Sequence, residues 1–146
     1  MKKKPVPILI MCLFVFLLSS CSASELEITE AWGRPGDIGG NSAAYFSIRN
    51  PSLQKDSLLK ADADIARAVE LHLSKMSGEG ENQQMEMIPQ EFVDIPILNT
   101  VVFKPGGLHV MFIDLNQPLK PGDSYTLTLT FQNAGEIQLD VDVREP

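Results

Sequence analysis

"SYTLTLTFQNAGEIQLDVDV", residues 124–143, decides the fold class, because apolar and polar residues alternate through both halves of this stretch. Successive side chains of a β-strand point to opposite faces, so the alternation predicts two strands that each bury one face. Asn133, Ala134 and Gly135 lie between them and supply the turn. The side chains predicted to point inward are Tyr125, Leu127, Leu129, Phe131, Ile137, Leu139, Val141 and Val143.

The rest of the chain from residue 26 follows the same plan of short alternating segments separated by turn residues. No segment keeps the 3.6-residue period of a helix, so we expect an all-β protein. About eight or nine short strands in one small domain predict an antiparallel β-sandwich. Pro96 indicates an edge strand or an irregular stretch. Pro105-Gly106-Gly107 predicts a short hairpin between the segments at 100–104 and 108–115.

The N-terminal region has the pattern of an exported lipoprotein. Three lysines at 2–4 precede an apolar run at 7–18, which is shorter than the roughly 20 residues of a membrane span. "LSSC" at 18–21 resembles a bacterial lipobox and predicts cleavage before Cys21 and acylation of its thiol. An ordinary signal peptide that is cleaved slightly later is the alternative. We expect a lipoprotein signal peptide at 1–20, the lipidated cysteine and a short tether at 21–25, and one folded domain at 26–146.

Composition excludes several functions. Twelve basic residues less the three leader lysines leave nine against 19 acidic residues, a formal charge near −10, which disfavours nucleic acid as a partner. The two cysteines, Cys12 and Cys21, both precede the domain, so thiol catalysis and thiolate metal sites are not expected. The glycine-rich segment at 33–40 lacks the strand-to-helix context of a phosphate loop, and no nucleophile is paired with a base. We therefore expect no enzymatic activity.

Histidine and methionine are confined to one window of the domain. Both histidines and four of the six methionines fall between residues 72 and 111, while Met1 and Met11 belong to the leader. Alternation predicts that His109 and Met111 share a strand face opposite the apolar one, that His72 shares such a face with Glu70, and that Met85 and Met87 share a third. We predict that both histidines lie on strand faces that do not contribute to the core. The window comprises His72, Met76, Met85, Met87, His109 and Met111.

These residue types indicate a soft metal. Thioether sulfur is a soft, neutral donor that favours Cu(I), and imidazole suits several transition metals. Zinc prefers cysteine, histidine and carboxylate, whereas calcium and magnesium prefer oxygen ligands. A set of two histidines and several methionines without cysteine therefore predicts Cu(I). A blue-copper electron carrier is excluded, because its site requires a cysteine thiolate.

At these residues the chain resembles the periplasmic copper chaperone family called PCu(A)C, whose ligand pattern is H-x10-M-x21-H-x-M. Met87, 21 intervening residues, His109 and Met111 match the last three positions with unchanged spacing. His72 matches the first, but 14 residues separate it from Met87, four more than the pattern. The segment "SGEGENQQ" (77–84) is predicted to be a hairpin tip that absorbs the difference. Met85, and less so Met76, remain possible additional or substitute ligands.

The resemblance implies a cupredoxin-like Greek-key sandwich with Cu(I) ligands His72, Met87, His109 and Met111. It also implies a chaperone that hands copper to an accepting protein, either the oxidase subunit that holds the dinuclear copper centre of a haem-copper oxidase or a Sco-type protein. The protein would be lipid-anchored on the periplasmic side of a bacterial membrane, the outer membrane in a Gram-negative host. Two alternatives stay open: a copper-storage or resistance lipoprotein, and a structural lipoprotein sandwich that binds no metal.

Overall fold

The structure, a computed structural model, describes residues 25–78 and 83–146. The predicted signal peptide, Cys21 and most of the tether lie outside the described residues. In the part of the chain that is described, there is no helix of the length and hydropathy needed to cross a membrane.

Ten strands and no helix make up the described residues, so the all-β prediction is confirmed. The expected count of eight or nine strands is wrong, because the proline-containing stretch at 91–99 forms a separate strand of three residues before Pro96. The strands are β1 Glu27–Gly33, β2 Ser42–Asn50, β3 Asp56–Asp62, β4 Ala66–Ser77, β5 Gln84–Pro89, β6 Val93–Ile95, β7 Asn99–Phe103, β8 Leu108–Leu115, β9 Ser124–Phe131 and β10 Gly135–Val143.

The strands form one hydrogen-bonded sheet in the order β5-β4-β8-β7-β2-β1-β10-β9-β3-β6. Strands distant in sequence are neighbours, such as β4 with β8 and β3 with β9, as in a Greek-key sandwich. The sheet is not wholly antiparallel as expected, because β1 pairs with β10 and β7 with β8 in parallel. β6, which ends directly before Pro96, is an edge strand as predicted.

The sheet folds over itself and encloses its core. Phe112 on β8 and Tyr125 on β9 lie five strands apart in the sheet order, yet their ring centroids are 5.4 Å apart in an edge-to-face contact. The inward residues predicted on β9 are all buried, and so are Val141 and Val143 on β10. This arrangement is a β-sandwich whose two layers belong to one continuous sheet.

The Pro-Gly-Gly segment does not join a hairpin. β7 and β8 run in the same direction and pair with successive parts of β2, Phe46–Asn50 with β7 and Ser42–Ala44 with β8. A tight turn in which the amide of Gly107 donates to the carbonyl of Lys104 connects them. The hairpin prediction is therefore wrong, because both strands pair with β2 and their own pairing, at Phe103 and Leu108, is parallel.

Candidate metal centre

The two histidines lie directly opposite each other on neighbouring strands. In the antiparallel pair of β4 and β8, His72 is the register partner of His109, and their ring centroids are 5.8 Å apart. The residues that alternate with them, Leu71 and Val110, are buried in the core. Alternation therefore turns both imidazoles to the opposite face of the sheet.

Both histidines are nevertheless covered. His72 is 7% exposed and His109 is 4% exposed. Alternation correctly predicted the side of the sheet on which they lie, but it did not predict their burial. Tyr45, on the adjoining strand β2, lies beside the pair, with its ring centroid 6.5 Å from that of His109. The pair therefore occupies a sheltered position at the surface of the sandwich.

The hydrogen bonds of the two rings define which nitrogen is available to a metal. Nδ1 of His109 lies 3.0 Å from the carbonyl oxygen of Gly107, which can only accept, so Nδ1 donates and Nε2 keeps its lone pair. Nε2 of His72 donates to the Glu70 carboxylate at 2.8 Å, which leaves the lone pair on Nδ1. That Nδ1 atom is buried and has no hydrogen-bond partner among the described residues. A buried nitrogen lone pair without a partner fits a metal ligand.

Burial favours the neutral form of His109, which is the form that binds a metal. Desolvation lowers the pKa of His109 below its usual value, against a smaller opposing effect of the hydrogen bond to Gly107, and repulsion between the two rings when both are protonated lowers it too. The neutral imidazole, which has a lone pair to give, is therefore favoured.

Two methionines flank the histidine pair on the same face. Met111 is the register partner of Glu70, two positions along β4 from His72. Met87 on β5 is the register partner of Ser74, two positions in the other direction. Residues diagonal in this way have Cα atoms about 7–8 Å apart, within reach of long side chains. Met87 is 49% exposed, whereas both histidines are buried.

The register of the β4–β5 hairpin distinguishes Met87 from Met85. Met85 is the partner of Met76, a further two positions from His72, so it lies about 7 Å farther along the strands than Met87. Geometry therefore favours Met87 as the companion of the histidines. Met76 and Met85 form a separate pair farther out. We call His72, Met87, His109 and Met111 the inner centre, and Met76 with Met85 the outer pair.

The sequence analysis assigned no role to two residues that lie beside the histidines. Glu70 was placed on the face of His72, but only the 2.8 Å contact shows that it orients the ring. Tyr45 is buried beside His109. Alternation within β4 places Glu70 beside His72, whereas the contact of Tyr45 with His109 has no sequence signal, because the pairing of β2 with β8 creates it. Cys21, the predicted lipidation site, lies outside the described residues.

Taken together, the candidate donors of the inner centre are two imidazole nitrogens and two thioether sulfurs. All four are neutral, and the sulfurs are soft donors. In the described residues there is no group of three or more His, Cys, Asp or Glu side chains that could hold a metal ion.

Comparison with known proteins places the chain in a family. The family model described as "Putative lipoprotein LpqE-like" matches residues 26–143. The chain belongs to the LpqE-like family. One similar protein is "Putative lipoprotein Lxx21020" of Leifsonia xyli subsp. xyli. It is 24% identical over 123 residues, which cover 84% of this chain and 72% of the relative.

Solved structures confirm the resemblance to PCu(A)C domains. The copper-bound PCuAC domain from PmoF2 superposes with a TM-score of 0.68 at 24% identity, covering 86% of this chain and 97% of that domain, which shows the shared fold. The solution structure of CuI-DR1885 from Deinococcus radiodurans has a TM-score of 0.59 at 26% identity, covering 85% of this chain and 83% of that protein. The LpqE-like chain therefore has the PCuAC fold.

Proposed function

We propose that this protein is an extracytoplasmic metallochaperone that binds Cu(I) at the inner centre and delivers it to a partner protein. The observation that carries the proposal is the direct register pairing of His72 with His109, flanked on one face by Met87 and Met111. Nδ1 of His72 supports the proposal as well, because it is buried and has no hydrogen-bond partner among the described residues.

The donor set supports Cu(I) as a cargo that can be passed on. Neutral nitrogen and thioether donors favour the soft monovalent ion without adding negative charge that would hold harder cations. The two buried histidines hold the ion from the protein side, and the half-exposed Met87 is the ligand that an acceptor can replace first. Exchange of one ligand at a time would spare copper from leaving as a free ion.

The comparison with DR1885 supports the same reading, because that protein was solved in its Cu(I) form and has the same fold at 26% identity. Copper transfer makes and breaks no covalent bond of a substrate. The proposed role is therefore to bind Cu(I) and hand it over, without catalysis.

Cu(I) binding is tested by titration of the protein against a chromophoric Cu(I) chelator. Removing a residue that only hydrogen-bonds to a metal ligand typically lowers metal affinity by about 10–100-fold. His109→Ala and Met87→Ala each remove a proposed ligand itself, so we expect a larger loss of Cu(I) affinity. Leu59→Ala is the matched control, because Leu59 is a strand residue 44% exposed, close to the 49% of Met87. Absence of Cu(I) binding, or equal binding by all four proteins, would overturn the proposal.

For delivery, we propose as acceptor the copper-binding subunit of a haem-copper oxidase or a Sco-type protein. Deletion of the gene should lower oxidase activity, and added copper should restore it. A storage or resistance protein would instead leave oxidase activity intact and increase copper sensitivity when deleted. A structural lipoprotein would show neither effect and no Cu(I) binding.

We further propose that residues 1–20 are a lipoprotein signal peptide and that Cys21 carries the lipid, so that the domain at 26–146 is held at the periplasmic side of the membrane. Membership of a family described as lipoproteins and the lipoprotein relative from Leifsonia support this anchor. The expected result is a membrane-bound protein with an acylated N-terminal peptide by mass spectrometry, and Cys21→Ala should abolish both.

A further inference from the structure

Two more methionines form a pair on the same face as the inner centre. Met76 on β4 and Met85 on β5 are register partners, so they lie side by side across the hairpin. Met76 is 51% exposed and Met85 is 58% exposed. Both side chains belong to the strand face of His72, because they lie four positions from His72 and from its partner Pro89.

The exposure of this outer pair needs a reason. A methionine side chain in water leaves apolar area unburied, at about 25 cal/mol for each Å². Directly opposed residues on antiparallel strands have Cβ atoms about 4.5–5.5 Å apart, close enough for two flexible thioether arms to bind one ion between them. Two adjacent neutral sulfurs suit a soft monovalent cation and offer little to hard cations.

The outer pair also has a fixed relation to the inner centre. Met87 lies on β5 between Met85 and the partner position of His72, so thioether groups recur every second residue along this edge strand. Each step of two residues spans about 7 Å. β5 is an edge strand of the sheet, so this row of sulfurs is open to solvent along one side.

We propose that Met76 and Met85 form a second, weaker Cu(I) site that receives the ion and passes it through Met87 to the inner centre. The binding part stands on the geometry of the pair alone, whereas the transfer part rests on the proposed function of the inner centre. The ligand class is a soft monovalent cation, Cu(I) in the cell.

The transfer balances without any further reactant. At each step one copper–ligand bond forms as one copper–sulfur bond breaks. Met87 first replaces a sulfur of the outer pair, and the imidazole nitrogens of His72 and His109 then replace the remaining sulfur of that pair. Copper stays in its +1 state, and thioethers and neutral imidazoles release no proton on binding. The direction follows from the donors, because the inner centre adds two nitrogens to its sulfurs.

The test uses the full chain, purified in detergent and labelled with ¹³C at the methionine methyl groups. Each methyl signal is identified by single Met→Leu substitutions, and Cu(I) is added under anaerobic conditions. The signals of Met76 and Met85 are expected to shift together, in a binding step weaker than the one that shifts Met87 and Met111. The same two signals should also shift in the variant His72→Ala/His109→Ala.

A sulfur-relocated variant is the matched control. Met76→Leu with Lys75→Met keeps the number of thioethers but moves one to the other face of β4, where its register partner is Glu86. This variant should lose the weak step, load the inner centre about tenfold more slowly in stopped-flow mixing with a Cu(I)–chelator complex, and keep the final affinity within about twofold.

The outcomes separate this proposal from the proposed function. Shifts at Met87 and Met111 without shifts at Met76 and Met85 would overturn the outer site and leave the inner centre standing. Shifts confined to Met76 and Met85 would support the outer site and overturn the chaperone centre. A relocated variant that still shows the weak step would overturn the outer site, and unchanged loading would overturn its transfer role.

Discussion

At the residue scale, the inner centre depends on how each imidazole is held. The carboxylate of Glu70 accepts a hydrogen bond from Nε2 of His72 at 2.8 Å, and the carbonyl of Gly107 accepts one from Nδ1 of His109 at 3.0 Å. Each contact fixes a tautomer and a ring orientation, which is the usual role of outer partners at a metal site. The two rings therefore present opposite nitrogens, Nδ1 of His72 and Nε2 of His109.

Glu70→Ala is predicted to lower Cu(I) affinity by about tenfold, because His72 then loses the partner that sets its tautomer. Glu70→Gln should recover part of the loss, since the amide oxygen still accepts from Nε2. Chelator competition measures the affinity, and long-range ¹H–¹⁵N spectra of the metal-free protein report the tautomer of His72. Glu136→Ala, an exposed strand carboxylate on β10, is the control.

A wild-type spectrum in which His72 carries its proton on Nδ1 would contradict this prediction. So would an affinity of Glu70→Ala equal to that of the Glu136 control.

Sequence reasoning reached part of this residue-level arrangement. Alternation places His109 with Met111 and His72 with Glu70, because the face of a strand residue depends only on its parity. Burial of the histidines could not be predicted in the same way. It depends on which strands lie alongside, and Tyr45 reaches His109 from β2, more than 60 positions earlier in the chain.

At the element scale, the Pro-Gly-Gly turn shows where local signals are insufficient. Pro105-Gly106-Gly107 marks a turn correctly, but the partner of the following strand is chosen by the whole sheet. β2 pairs with both β7 and β8, and β4 takes the other side of β8. For β6 the local signal was sufficient, because Pro96 predicted an edge strand or an irregular stretch and a three-residue edge strand precedes it.

Gly106→Ala is predicted to destabilise the protein by about 1–2 kcal/mol, since Gly106 has a φ of +74°, in the left-handed region that costs an L-residue this much. Urea unfolding of the metal-free protein measures the change. Gly107→Ala is the matched control, because its φ is not in that region. Its added Cβ would meet the flexible Lys104 side chain at 3.3 Å and the Lys104 carbonyl oxygen at an ordinary contact distance of 3.6 Å. Equal losses in the two variants would contradict the prediction.

The β4–β5 hairpin shows the opposite case, in which the sequence predicted the element well. The predicted hairpin tip was "SGEGENQQ", and β4 ends at Ser77 while β5 begins at Gln84. The extra four residues relative to the PCu(A)C pattern leave Met87 on the face of His72, because an even number shared between two arms preserves parity.

At the scale of the whole molecule, one continuous sheet forms both layers of the sandwich, so the inner centre is supported by strands far from it. The strands that carry the proposed ligands are β4, β5 and β8, and they lie at one end of the sheet order. β9, β3 and β6 lie at the other end. The contact between Phe112 and Tyr125 joins these two ends across the core. His109 and Met111 lie on the face of β8 opposite to Phe112.

Phe112→Ala is predicted to lower the free energy of unfolding by about 3–5 kcal/mol, the usual cost of removing a fully buried phenylalanine. Phe112 is 0% exposed and stacks edge-to-face on Tyr125 of the other layer, so its loss should weaken both layers together. Urea unfolding followed by the fluorescence of the single tryptophan, Trp32 on β1, and by circular dichroism should give one coincident transition at lower urea. Leu59→Ala, on an exposed side chain, should cost less than about 1 kcal/mol. Two separated transitions, with Trp32 unaffected by the substitution, would show that the layers fold independently and that the ligand-bearing strands do not depend on the opposite layer.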